Sequence, residues 1–501
     1  MRGLSPNHTL VLVNGKRRDG TSNLAVLGGP FQGAAAPDLD LISPLSIKRI
    51  EVLKQGAAAQ YGSDAIAGVI NIILKDENEG GEMSATAGSY YKTGGSTAAA
   101  SANLGFKLGE NGVIDITMFH RLHNFSQVGG LDRRVTDTSG VLRTTLSAAQ
   151  KGLYANIPGF PYVNRINGDA LSHLTNLQFN SGYDLGDVRL YAFGSYSKRI
   201  ASAYENLRVP DRIIASAVLG VGGTLGAPGS LVFDPDGDNP SNRFNPREGI
   251  REDDFSITSG LKGDLGGFTY DLSGTWGQDK NLIYTLDSAN RSLFIDTRFT
   301  PTSFYDGMFK ATEYTINADF TKRIEAGMPS PITVAFGGEY RKNIYEIGSG
   351  DPGFRPSDAG KHKRHNTAVY LNVAAEPIDH LKLDGAVRYE HYSDFGSTTT
   401  YKAPGRYDFT PAVALRGTIS TGFRAPTLAE SFYSATNVSP TSALVQLPAN
   451  SAAAKLLGFS NLSPEKSVNY SLGFVFRPAP RLTMTIDAFQ VRIRNRILGT
   501  D

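Results

Sequence analysis

The 501-residue chain is 40% hydrophobic, yet no stretch approaches the roughly 18 consecutive apolar residues of a membrane-spanning helix, so a helical membrane protein is excluded. Fifty basic and 48 acidic residues, net +2, are mixed along the chain and leave no footprint of nucleic-acid binding. Zero cysteines exclude a disulfide framework, Cys-ligated zinc and thiol catalysis, while 55 Gly, 22 Tyr and 26 Phe against one Trp favour strands, turns and aromatic belts.

Residues 1–12 lack the basic start, apolar centre and small-residue cleavage site of a secretory signal, which leaves a cytoplasmic protein or one whose beginning lies elsewhere. From 4 to 75, short apolar runs (9–13, 47–53 and 69–74) are separated by Gly, Pro and Asn turns. Near-continuous apolar strands are strands covered on both sides, and a small mixed α/β domain over 1–78, enclosed by something larger, fits them. Gly56, Gly62 and Gly68 punctuate its end, where positive φ and close backbone approach are expected at tight turns. The phosphate-loop pattern G-x-x-x-x-G-K-[ST] is absent.

From Glu82 onward the apolar period is two. In 331–344, Ile332, Val334, Phe336 and Tyr340 share one face, and Thr333, Gly337, Glu339 and Arg341 the other. In 381–390, Leu381, Leu383, Val387 and Tyr389 alternate with Lys382, Asp384, Arg388 and Glu390. A soluble sandwich alternates in the same way. The connections separate the two folds: brief turns near 110–112, 185–187, 265–267, 377–379 and 478–480 take turns with long loops at about 125–171, 201–251, 281–310 and 422–464. Short turns on one side and long loops on the other are the pattern of an outer-membrane barrel. The reading is a membrane all-β fold, a large antiparallel transmembrane β-barrel over 79–501. Roughly fifteen strands fit between Glu82 and Arg496, an odd number where bacterial barrels are even, so the barrel is expected to be incomplete and the sequence a piece of a longer chain.

Three stretches of the first domain, Arg2-Gly3-Leu4, TLVLVNGKRR (9–18) and RIEVLKQGAAAQYGSDAIAGVINIILK (49–75), resemble successive segments of the plug of TonB-dependent outer-membrane receptors. RGTISTGFRAPTLAE (416–430), LSPEKSVNYSLG (462–473) and the strand ending RIRNRI (492–497) resemble that family's barrel, in the correct order. The resemblance implies active uptake: a ligand too large or scarce for porins binds outside, and the TonB complex of the inner membrane pulls on the plug. It implies outer-membrane localisation, no enzyme activity, no resident cofactor, and a ferric siderophore as cargo, with cobalamin and oligosaccharide as alternatives. Outer-membrane lipid and lipopolysaccharide are the expected surroundings. A passive porin is the rival transport reading, and a nonfunctional receptor remnant the rival structural one. The family's TonB box and last strands are not in the sequence.

Within the family the 462–473 motif often carries Glu where this chain has Ser471, and such a Glu can pair with plug arginines. A lock from Arg2 or Arg49 is therefore expected to use another acid, Glu465 or Glu430. Arg49 and Glu51 share a strand face and are expected to present an ion pair to the barrel wall. Arg424 faces the lumen or caps its strand. His120/His123 and His362/His365 fall on opposite strand faces, which disfavours iron ligation. The run Lys361, His362, Lys363, Arg364, His365 reads as a solvated charge cluster, with an anionic ligand or lipopolysaccharide as the alternative. Asp234, Asp236 and Asp238 have calcium-loop spacing, but Asn239 replaces the Gly and the Glu at the twelfth position is missing, so a polar turn is expected. The ligand surface is expected at 23–36 and in the long loops.

Overall fold

The computed structural model describes all residues except 26–30, 32, 55, 127–128, 158, 166–167, 209–244, 291–292, 294–299, 352–358, 439–442 and 500–501. Asp234, Asp236, Asp238 and part of the 23–36 stretch lie outside the described residues.

The inner domain is a four-stranded sheet of β1 (Thr9–Val13), β2 (Lys16–Arg17), β3 (Ile47–Leu53) and β4 (Gly68–Leu74), in the order β2-β1-β4-β3. β1 and β4 run parallel, and the outer pairs are antiparallel. Asn14 and Gly15 join β1 to β2 with φ of 48° and 81°, the all-positive turn that an Asn-Gly pair favours. All of β1 is buried because both faces are covered. Leu10, Leu12, Ala57, Ala65 and Val69 pack on one side. Val11, Val13, Ile42, Ile72 and Leu74 pack on the other, with Phe193 of the surrounding wall. One helical turn, α1 (Ala58–Tyr61), precedes β4.

The wall is one antiparallel sheet of fifteen strands: β5 (Gly81–Tyr90), β6 (Gly94–Leu108), β7 (Gly112–His123), β8 (Leu171–Leu185), β9 (Val188–Tyr204), β10 (Arg247–Leu265), β11 (Phe268–Leu286), β12 (Phe304–Ile324), β13 (Ser330–Ser349), β14 (Gly360–Ile378), β15 (Leu381–Tyr392), β16 (Gly396–Thr410), β17 (Val413–Arg424), β20 (Glu465–Ala479) and β21 (Leu482–Arg494). A hairpin of β18 (Ala435–Val438) and β19 (Ala443–Gln446) stands in the loop before β20. β5 and β21 are the sheet edges.

The alternation is inverted relative to a soluble protein, and this decides between barrel and sandwich. On β13 and β15 the apolar side chains of Phe336, Tyr340, Leu383 and Tyr389 are exposed, whereas Arg341, Arg388 and Glu390 are buried, at 4%, 3% and 1% exposure. Water-exposed apolar residues in such numbers are untenable, so the outer face belongs in lipid and the polar face lines the lumen.

Several strands run further than their sequence suggests. β11 continues to Leu286 and β12 begins at Phe304, so much of the expected 281–310 loop is paired backbone. The long-loop side also has two tight connections, 91–93 between β5 and β6 and 393–395 between β15 and β16. Among the described residues, α1 is followed by three further short helices: α2 (Ala148–Ala155) lies in the loop after β7, α3 (Leu428–Phe432) follows β17, and α4 (Ala452–Leu456) precedes β20.

Candidate functional site: the interface between inner domain and barrel

The inner domain meets the lumen through charged and hydrogen-bonding groups on four sides. On the first, the run from Lys16 to Asp19 continues the turn after β1. The Lys16 ammonium lies 3.2 Å from Asp271 and 3.3 Å from Asp319. Arg18 pairs with Asp19 at 2.8 Å and with Asp254 of β10. The Thr21 hydroxyl and the Ser22 N–H each donate to Asp279 at 2.7 Å. Burial pushes the Asp19 carboxyl up to about 7; Arg18 opposes the rise, and Asp254 and Glu313 add to it.

On the second side, Arg199 of β9 bridges three carboxylates: Asp38 at 2.6 Å, Asp40 at 3.6 Å and Glu252 of β10 at 2.6 Å. Arg121 of β7 donates to both Asp40 oxygens, and these hydrogen bonds hold the Asp40 carboxyl below its usual range despite partial burial.

The third side lies at the long-loop rim. His8 Nε2 bonds the Glu465 carboxylate, both side chains being 1% exposed. The same oxygen of Glu465 accepts from Arg424 Nε at 3.0 Å, and its other oxygen accepts from the Ile497 N–H at 2.7 Å. Arg424 also donates to Glu430 at 2.7 Å. Glu430 is fixed by its place in α3, where Thr427 and Glu430 cap the helix reciprocally. Asn7 reaches Glu430 at 3.4 Å.

The fourth side joins the segment after α1 to β13 and β15. Arg341 donates to the Ser63 hydroxyl and to the Tyr392 hydroxyl, each at 3.1 Å. Arg388 donates to Glu390 at 2.7 Å and lies 3.2 Å from Glu339. Apolar contact adds to this where Leu24 and Ala35 meet Tyr345, Leu428 and Tyr433.

A cavity of about 160 Å³ opens between these contacts, walled by Arg17, Arg18, Asp64, Glu313, Arg341 and Arg424 among others. At about 30 Å³ per water it has room for several, and its charged walls favour hydration. The inner domain is thus held by groups that can rebond to water when separated. Such an interface is firm at rest and can be released.

A family model described as "TonB dependent receptor-like, beta-barrel" matches residues 211–501, and "TonB-dependent Receptor Plug Domain" matches 1–69. The chain belongs to the TonB-dependent receptor family. Its family places the barrel in the outer membrane. Its fold is similar to the siderophore receptor PirA from Pseudomonas aeruginosa, at a TM-score of 0.63, 17% identity, and 99% of this chain against 68% of that one. A mutant of the ferric enterobactin receptor PfeA from the same organism gives a TM-score of 0.68 at 15% identity, covering 99% and 65%. The ferrienterobactin receptor of Escherichia coli (strain K12) is 29% identical across 36% of this chain and 24% of its own length. The chain thus spans about a quarter of that curated relative and about two thirds of these solved structures.

The expected contact residues of this receptor are distributed as follows. Glu465, Glu430 and Arg424 form one buried cluster, but their plug partners are His8 and Asn7 instead of Arg2 or Arg49. Arg424 both faces the lumen and ends β17. Arg2 stacks over the Phe489 ring of β21 at 4.1 Å. Arg49 and Glu51 pair with each other at 2.8 Å on a face of β3 that the fifteen described strands leave uncovered, and Asn71 also donates to Glu51. A shared strand face fixed their pairing and not what the face looks upon. Among the three glycines, Gly62 (φ 88°) and Gly68 (φ 145°) take positive φ. Gly56 does not; it gives close approach to the wall, since a Cβ there would lie 2.3 Å from Asn469 Nδ2. His8, Lys16, Arg18 and Asp19 are contact residues that the sequence pattern did not single out. The available signal was the charged run 16–19 directly after a fully apolar strand.

Proposed function

We propose that this receptor takes up a scarce ligand, a ferric siderophore, across the outer membrane by TonB-dependent release of the plug. The observation that carries the reading is the polar seating of the plug. Ion pairs and hydrogen bonds to Asp254, Asp279, Arg199, Glu465 and Arg341 hold it in the lumen, where it obstructs free diffusion. A passive pore has no use for a domain seated in this way, and an outer membrane has no ATP, so force must come from the inner-membrane complex. The cargo is supported by the names of the structural relatives, receptors for siderophores and ferric enterobactin. The test is uptake of radiolabelled ferric enterobactin by iron-starved cells lacking their own receptors, with and without TonB. Accumulation that requires both this chain and TonB is expected. Uptake indifferent to TonB would overturn the energised mechanism, and TonB-dependent uptake of cobalamin or an oligosaccharide instead would overturn the cargo.

A further inference from the structure

The wall behind α1 carries polar side chains that the seated plug leaves unmet. On the lumen face of β16, β17 and β20, Thr398, Thr400, Lys402, Ser420 and Asn469 are between 2% and 8% exposed, while their strand neighbours Tyr401, Ile419 and Tyr470 look outward. Lys402 stands opposite Ser420, and Ser420 opposite Asn469. Thr398 Oγ1, Thr400 Oγ1, Ser420 Oγ and Asn469 Oδ1 have no hydrogen-bond partner among the described residues. The Lys402 ammonium donates to Gln60 Oε1 of α1 at 2.9 Å and has no ion-pair partner among those residues. Asp384, diagonal to it on β15, takes its hydrogen bond from Asn372.

What covers this surface is mostly apolar. α1 packs against β15, β16 and β17, and Ala57, Ala58, Ala59 and Ile66 are fully buried. The fit is close, since a Cβ on Gly56 would lie 2.7 Å from Ser420 Oγ, and one on Gly422 3.4 Å from Ile66. Burying hydroxyls, an amide oxygen and an ammonium against alanine costs free energy that is recovered when they meet water or a polar ligand. A wall that only held the plug would be apolar here, as it is at Phe193, which packs in one cluster with Val11, Val13 and Ile72.

Two same-face positions nearer the short turns stand Lys382, Arg406 and Arg416, opposite one another on β15, β16 and β17. Asp408 pairs with Arg406 and Asp487 with Arg416, so Lys382 leaves that row positive. Positive charge thus continues from Lys402 toward the short-turn end of the lumen.

We propose that Lys402, Thr400, Ser420 and Asn469 form a latent binding site for anionic, oxygen-rich chelates, closed by α1 while the plug is seated and opened to the ligand on release. An ammonium without a carboxylate, flanked by free hydroxyls and an amide, suits the carboxylate or phenolate oxygens that surround a ferric ion. The inference rests on the uptake reading and deepens it, giving the ligand a contact inside the lumen.

Citrate is the probe, an oxygen-rich trianion that tests the site whatever the cargo. The full chain in neutral detergent is titrated with urea at constant ionic strength, and plug release is followed by hydrogen exchange of the β1 amides. A ligand bound only by the released state favours release by mass action. Citrate at about ten times its Kd is expected to raise the ratio of released to seated plug roughly tenfold in wild type. The response is expected to vanish in K402Q and to persist in K402R. An equal response in wild type and K402Q, or none in wild type, would overturn the site. Should K402Q lose its strand content by circular dichroism, T400V/S420A puts the same question: firmer seating with a weakened citrate response supports the site, and unchanged seating overturns it. In the uptake assay K402Q should slow TonB-dependent accumulation and K402R restore it. Normal uptake by K402Q would overturn the inference alone, whereas failure of the wild type to accumulate the chelate would defeat the cargo reading and leave the citrate result to decide the site.

Discussion

His8, in the short turn before β1, bonds Glu465 at the start of β20, joining the first domain of the chain to a strand more than four hundred residues later. Neither side chain reaches water, and His8 Nε2 depends on Glu465 for its polar contact. Arg424 shares the same carboxylate oxygen. Removing His8 therefore leaves Glu465 with Arg424 and the Ile497 N–H, whereas removing Glu465 leaves both His8 and Arg424 short of one partner. The expected order of damage is Glu465→Ala above His8→Ala, with the His8 change costing about 1–3 kcal/mol of plug seating. Hydrogen exchange of the β1 amides under increasing urea measures it, and wild-type protection in both variants would sink the latch.

Two carboxyls of the plug give pH dependences of opposite sign in different windows. Asp19, raised to about 7, binds more protons folded than unfolded between the ordinary carboxylate range and that value, so seating weakens as pH rises through the window. Asp40, held low by Arg121, contributes stability at neutral pH that is lost as pH falls through its depressed value. Seating is thus expected to be strongest near the ordinary Asp value, at about pH 4. Asp19→Asn should flatten the neutral limb and leave the acid limb intact. A urea midpoint for plug release that keeps its full pH dependence in that variant would remove Asp19 from the account.

The glycines separate two kinds of close approach. At Gly56 the obstacles are the ends of two wall side chains, Asn469 at 2.3 Å and Ser420 at 2.7 Å from a Cβ. Gly56→Ala is expected to cost on the order of 1–3 kcal/mol, and Asn469→Gly together with Ser420→Gly in the same chain to restore most of it. At Gly68 the obstacle is the Leu53 carbonyl at 2.1 Å, and φ is 145°. Gly68→Ala should damage the plug sheet itself, beyond repair by any barrel substitution. Thermal unfolding of the single and combined variants distinguishes these outcomes; rescue that fails at Gly56 would mean its backbone, not Asn469 and Ser420, is the constraint.

Much of the barrel was legible because its two faces touch unlike media, and a two-residue period such as that of 331–344 records the difference. The period could not say which face was buried: Arg341 and Glu390 inside, with Tyr340 and Tyr389 outside, required the structure. The fully buried β1 was visible as a continuous apolar run. The meeting of His8 with Glu465 was not, because no local pattern encodes which wall residue faces a domain folded hundreds of residues earlier. Arg49 and Glu51 illustrate the same limit, since their spacing fixed a common face and left its surroundings open. In the loops, the Ser147 to Gln150 spacing did carry a capping-box signal for α2 that was available in the sequence. The small apolar cluster of Val135, Tyr154, Ile157, Val163 and Leu207 around it had no periodic trace.

Arg199 offers the sharpest test of the seating because it serves three carboxylates at once. In Arg199→Ala, Asp40 keeps Arg121, but Glu252 stays 1% exposed with no cation in reach and Asp38 loses its own. An uncompensated buried charge costs on the order of 3–5 kcal/mol. Arg199→Lys keeps the charge and cannot fan it across three acceptors, so it should fall between the two. Arg199→Met discriminates this from simple loss of packing: it is close to Arg in length and carries no charge or donor, so it should keep most of the deficit of Arg199→Ala. Wild-type seating in Arg199→Met would show that Arg199 acts by filling space, and the charged seating of the plug would lose one of its four sides.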